Sequence, residues 1–137
     1  MKMMKTFVMT AGLSLMLSAA VRGQNKLEVE ITELRSDQGP VMLELFDAQH
    51  QSIMRQSGVI KNGKATLVLS NLKPGRYAVR YYHDENNNQK LDTNLLGIPT
   101  EGYGFSNDAY GTFGPKSFDQ WLVDVQHDTR IVLKTKN

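Results

Sequence analysis

Apolar and polar residues alternate along most of this chain. In KLEVEITELR, Leu27, Val29 and Ile31 fall on one side, and Glu28, Glu30 and Thr32 fall on the other. That two-residue period is the mark of a strand with one buried face. VMLELFD repeats it with Val41, Leu43 and Leu45, and the turn formers of SDQGP, residues 36–40, separate the two runs. Residues 48–57 are polar without a clear period and read as a loop. GVIKNGKATLVLS carries Asn62-Gly63 between two strand-like runs, the dipeptide of a two-residue hairpin, and Ala65, Leu67 and Leu69 alternate after it. Pro74-Gly75 predicts a type II turn, with proline fixing its φ and glycine taking the positive φ. The next run places Tyr77, Val79 and Tyr81 on one face, and Arg76, Ala78 and Arg80 on the other. WLVDV from Trp121 and TRIVLKT from Thr129 complete the series, with a turn at residues 127–129.

The predicted strands are residues 26–35, 41–47, 57–61, 65–70, 76–82, 120–126 and 129–135. Short strands with frequent turns and no helical period predict an all-β fold, a single seven-stranded Greek-key β-sandwich over residues 24–137. Residues 83–117 have little regular pattern. A structureless segment of that length in a small domain is either functional or holds structure of its own.

The start of the chain has a different pattern. MKMMKTFVMTAGLSLMLSAAVRG has Lys2 and Lys5, an apolar run from Phe7 to Leu17, then small residues, which is the layout of a secretory signal peptide over residues 1–23. Cleavage is expected after Gly23 or after Ala20. The apolar run is shorter than the roughly 20 residues a membrane-spanning helix needs. The chain has no cysteine, so it can form no disulfide and offers no lipoprotein anchor. The expectation is an exported protein, periplasmic or secreted. The full chain carries 16 basic and 14 acidic residues; without Lys2, Lys5 and Arg22 the balance is 13 to 14. Such a near-neutral domain does not have the charge of a nucleic-acid-binding surface.

HDENNNQKLDTN, residues 83–94, is the densest polar stretch. Counted from Asp84, the residues Asp84, Asn86, Asn88, Lys90 and Asp92 stand at alternate positions. That is the spacing of the first nine positions of an EF-hand-type Ca²⁺ loop, in which Lys90 serves through its backbone carbonyl. Calcium takes about six to eight oxygen ligands, and alternate residues in a tight loop turn their oxygens toward one point. Gln89 stands where such a loop has glycine, and Leu95 where it has a bidentate Glu. Glu101, Asp108 and Asn94 are the candidates for the last ligand. A loop with few carboxylates is expected to bind Ca²⁺ weakly.

IPTEGYGFSNDAYGTFG interleaves Gly102, Gly104, Gly111 and Gly114 with Tyr103, Phe105, Tyr110 and Phe113. The rings either form a ligand surface, with Tyr103, Phe105, Asn107 and Asp108 as candidates, or fold under the loop and extend the core. The second is the favoured reading. His50, His83 and His127 have no zinc-protease spacing, and no nucleophile elbow or phosphate loop occurs.

HDENNNQKLDTN followed by GIPTEGYGFSND resembles the signature of an uncharacterised family of exported bacterial proteins, domain of unknown function 2141. The resemblance covers about residues 26–135. The family loop carries glycine where this chain has Asn87 and Gln89. The resemblance implies a sandwich similar to transthyretin-like, Ig-like and collagen-adhesin B-type modules. In those, LxPGxYxV leads into a strand as LKPGRYAV does here, and Asp-x-Asn-x-Asn loops often hold calcium. It carries no established activity. The expected function is a non-enzymatic cell-envelope binding or accessory module for a protein or glycan, with a structural Ca²⁺ loop. One alternative is a small-ligand carrier with a pocket lined by Tyr103, Phe105, Tyr110 or Phe113. Another is a hydrolase using His83, Asp84 and Glu101.

Overall fold

The alternating runs form strands, and their apolar sides face one another across two sheets. The computed structural model describes residues 24–137; the segment read as a signal peptide, residues 1–23, lies outside them. The strands are β1 (Asn25–Thr32), β2 (Val41–Asp47), β3 (Ser52–Gly58), β4 (Ala65–Leu72), β5 (Gly75–His83), β6 (Tyr103–Phe105), β7 (Tyr110–Gly111), β8 (Gly114–Pro115), β9 (Val123–Val125) and β10 (Thr129–Lys134). One sheet has the order β10-β1-β4, with β10 parallel to β1. The other has the order β3-β2-β5-β6, and β9 pairs with the start of β5. Leu27, Val29, Ile31, Leu67, Leu69 and Leu133 from the first sheet pack against Val41, Leu43, Leu45, Tyr77, Val79 and Tyr81 from the second. This is the all-β sandwich that the alternation predicts.

Several local expectations are corrected. The third strand is Ser52–Gly58, not residues 57–61, so the segment 48–57 is mostly strand rather than loop. One face of it (Ile53, Arg55, Ser57) is exposed and the other (Met54, Gln56, Gly58) only half-buried, as befits an edge strand, and its residue types carry no apolar period to read. Asn62 and Gly63 do form the tight turn, both with positive φ (53° and 72°) and with Lys61 and Lys64 exchanging backbone hydrogen bonds. The strands on either side of that turn belong to different sheets, however, so it crosses the sandwich instead of closing a hairpin. Gly75 does not take the expected positive φ and begins β5; the positive φ near this corner lies upstream, on Asn71 (62°) within β4. The Tyr77 hydroxyl donates to the Lys73 carbonyl at 2.6 Å and pins that corner. The expected strand 120–126 is a 3₁₀ helix, Phe118–Trp121, followed by the short β9.

Ala78 is fully buried, although it points away from the inner core. Residues 103–122 fold back over that side of β5. Phe46, Ala78, Phe105, Ala109 and Trp121 form a second apolar cluster there, flanked by Tyr103, Tyr110, Phe118 and Leu122. The chain thus has three layers at this end. The expectation that the rings extend the core holds for all but Phe113, which is fully exposed.

Candidate functional site

The polar loop begins where β5 ends. The Asp84 N–H donates to the Pro40 carbonyl, and the His83 N–H donates to the Gly102 carbonyl at 2.7 Å, so both ends of the excursion are stitched to neighbours. Gly39 lies against this junction with a φ of 71°, and a side chain there would overlap the Asp84 carbonyl. Arg35 reaches the loop from beyond β1. Its guanidinium donates to both Glu85 oxygens, at 2.6 and 2.9 Å, and to the Thr100 carbonyl at 2.6 Å.

Asp84 is completely buried. Its two carboxylate oxygens accept the backbone N–H groups of Asn88 and Gln89, at 3.0 and 2.8 Å. Glu101, also buried, accepts the N–H groups of Glu85 and Asp92, at 3.1 and 3.0 Å. Buried charge is tolerated where donors satisfy it, and here the donors are the loop's own backbone. Asp92 accepts the side-chain amides of Asn86, at 2.5 Å, and Asn88, at 2.8 and 3.0 Å. These amide contacts hold the Asp92 carboxyl below the usual carboxylate range, the Asn88 contact contributing most. Glu85 is held low in the same direction, mainly by its hydrogen bond from Arg35. The backbone enters the left-handed region at Asn87 (56°) and Gln89 (65°). Gln89 therefore makes the turn for which glycine is the usual residue, at a strain of about 1–2 kcal/mol.

Asp84, Asn86, Asn88, Asp92 and Glu101 are thus brought to one loop. Of the three candidates for the last position, Glu101 is the one that joins it. Asn94 caps its own turn, accepting from Leu96 and Ile98. Asp108 accepts the Lys134 N–H elsewhere. Among the described residues, no three His, Cys, Asp or Glu side chains are gathered closely enough to hold a metal. Any cation here would rely on amide and carbonyl oxygens as well.

His83 is buried beneath the loop. Its Nε2 lies 2.6 Å from the Gln38 carbonyl, which can only accept, so Nε2 carries the proton. Nδ1 has no hydrogen-bond partner and lies 3.5 Å from Glu85 Oε1. His83, Asp84 and Glu101 are neighbours and sit buried at the base of the loop.

The aromatic candidates separate. Tyr103 and Phe105 lie on the outer face of the five-stranded sheet, with Tyr103 opposite Tyr82 and Phe105 opposite Arg80. Asn107 instead donates its amide to the Gln120 and Leu122 carbonyls, and Asp108 accepts the Lys134 N–H, so both are tied to neighbouring backbone. The Tyr110 hydroxyl lies 2.7 Å from the Lys134 carbonyl and 2.9 Å from the Tyr103 carbonyl and shares its one proton between them. Burial pushes the Tyr110 phenol up to about 12.

A cleft of about 620 Å³ opens on that outer face, lined in part by Tyr103 and Phe105. Its floor comes from the outward positions of the strands, Met42 and Glu44 on β2 and Arg80 and Tyr82 on β5, and Gln89, Lys90 and Leu91 of the polar loop form a wall. Arg55, Glu44 and Arg80 stand side by side across β3, β2 and β5. Glu44 Oε1 accepts from Arg55 at 3.0 Å, and Oε2 accepts from Arg80 at 2.6 Å. Burial raises the Glu44 pKa, but hydrogen bonds from Ser52, Arg80 and Arg55 outweigh it and the net shift is downward. Arg80 also lies over the Phe46 ring, 5.1 Å from its centre. Sequence reasoning missed this row, because only the pairing register places the three charges together.

Residues 29–132 match the model of the family described as "Uncharacterized protein conserved in bacteria (DUF2141)". The chain belongs to this family. No curated protein and no solved structure matches it. Membership agrees with the resemblance carried by the polar loop and the GYGFSND segment. It brings no reaction and no ligand. Among the described residues, no helix is long and apolar enough to cross a membrane.

Proposed function

We propose that this domain is an exported cell-envelope module that binds a protein or glycan, with the loop of residues 84–101 held in shape by a structural Ca²⁺ ion. The observation that carries the reading is the convergence of Asp84, Asn86, Asn88, Asp92 and Glu101 on one loop that takes its left-handed turns at Asn87 and Gln89. The side-chain oxygens of Asp84, Asn86, Asn88 and Asp92, with the Lys90 carbonyl and Glu101, form the oxygen-only donor set a hard cation requires. A carboxylate has about four acceptor sites. Asp84 and Glu101 each use two on backbone N–H groups, so each keeps capacity for a cation. A half-turn of the Asn86 and Asn88 amides would present Oδ1 where Nδ2 now meets Asp92. The small number of carboxylates favours weak binding, about 10⁻⁴–10⁻³ M, in the range of extracellular modules. Export is supported by the signal-like residues 1–23. The reading assigns no reaction to the domain.

Calorimetric titration of residues 24–137 with Ca²⁺ tests the metal. One weak site is expected, lost in Asp92→Ala, whose side chain is only half-buried, with an unchanged far-ultraviolet circular dichroism spectrum as the control for folding. No heat and no rise in melting temperature at millimolar Ca²⁺ would rule the ion out.

A further inference from the structure

The outer-face cleft is not needed to explain the sandwich or the polar loop, yet its chemistry is specific. Its floor is central sheet: β2 pairs with β3 and β5, and β5 pairs with β2 and β6. The backbone groups of β2 and β5 are therefore spent on the sheet, and over this floor a ligand meets side chains. These are of two kinds. Tyr82 and Tyr103 lie opposite one another as a pair of half-buried rings. Arg55 and Arg80 flank Glu44, each using Nε and one N–H of Nη2 on that carboxylate and leaving Nη1 and the other Nη2 N–H, the outer fork of the guanidinium, to solvent or ligand. The arginine side chains are 77% and 53% exposed, whereas Glu44 is 12% exposed, so the positive groups face outward and their counter-ion lies beneath. With Lys90 on the wall, three cations meet one anion.

We propose that this cleft binds a carboxylate-bearing saccharide. The proposal deepens the binding-module reading and rests on it. The C–H faces of a sugar ring stack on the two tyrosines while its carboxylate takes a forked hydrogen bond from an arginine. The volume lies within the range usual for small-ligand sites, about 300–1,000 Å³. An extended peptide finds no backbone donors or acceptors on this floor, which disfavours an acidic peptide of the same charge.

Calorimetry with trigalacturonate, its methyl ester and acetylated triglutamate tests the assignment. Trigalacturonate is expected to bind, and the neutral ester and the peptide are expected to bind at least about tenfold more weakly. Arg55→Ala and Tyr82→Ala should each weaken binding by about tenfold, with unchanged melting temperatures as the control for folding. Absence of trigalacturonate binding at millimolar concentration overturns the cleft assignment, as does binding that both substitutions leave unchanged. The Ca²⁺ titration judges the loop separately, so a failed cleft and a failed metal site give different results. Equal binding of triglutamate would overturn the saccharide.

Discussion

Residues 84–101 and residues 103–122 follow one another in the chain and both lack long strands, yet different forces hold them. In the first, buried carboxylates gather backbone N–H groups: Asp84 takes two from its own loop, and Glu101 ties Glu85 to Asp92. Its apolar residues Leu95, Leu96 and Ile98 are exposed. In the second, rings do the packing. Phe105 lies 4.5 Å from Trp121 between ring centres, and Phe118 contacts Trp121 at 5.4 Å. One segment is organised around charge and the other around apolar area. The first should respond to cations and acid, and the second to loss of a ring.

The largest effect should come from Trp121→Ala. It removes the centre of the second cluster and should cost about 3–5 kcal/mol in urea denaturation, with no dependence on Ca²⁺. Asp84→Ala should cost less, about 1–3 kcal/mol, by leaving two loop N–H groups without their acceptor. Its mark would be local: faster proteolysis within residues 84–101 and unchanged near-ultraviolet circular dichroism from Trp121.

The two segments should also loosen at opposite ends of the pH scale. Asp92 and Glu85 have folded pKa values below their unfolded ones, so their stabilisation is present above about pH 4 and is lost as pH falls through the lowered values. Tyr110, half-buried and pushed up to about 12, behaves inversely. Its contribution is complete below the ordinary phenol value of about 10 and disappears as pH rises toward 12. Amide exchange should thus quicken first in residues 84–101 on acidification and first around Tyr110 in alkali. Simultaneous loosening of both in acid would contradict the division. The smallest effect is Gln89→Gly, which relieves a left-handed side-chain residue but frees the unfolded chain, for a net gain of about 0.5 kcal/mol.

Much of this division is legible in the sequence. Period-two alternation exposes the inner core because each strand of it has one apolar side. The oxygen spacing of the polar loop is local, so it can be read from Asp84 to Asp92 without a fold. What stays hidden depends on distant partners. Ser52–Gly58 has little buried surface, so its residues show no apolar period and read as a loop. Ala78 reads as solvent-facing because its cover arrives from residues 103–122. Trp121 alternates with Val123 and Val125 as if in one strand, but Trp121 joins the outer cluster while Val125 joins the inner core. Gln89 reads as a defect in the loop, although its backbone adopts the left-handed turn. The Arg55-Glu44-Arg80 row exists only once the register of three strands is known.

Hydrogen exchange of residues 24–137, measured residue by residue with and without millimolar Ca²⁺, tests the central claim most directly. Slower exchange at the amides of Glu85, Asn88, Gln89 and Asp92, with residues 103–122 unchanged, is the predicted result. Exchange that Ca²⁺ leaves unaltered throughout, or slows equally in both segments, would contradict it.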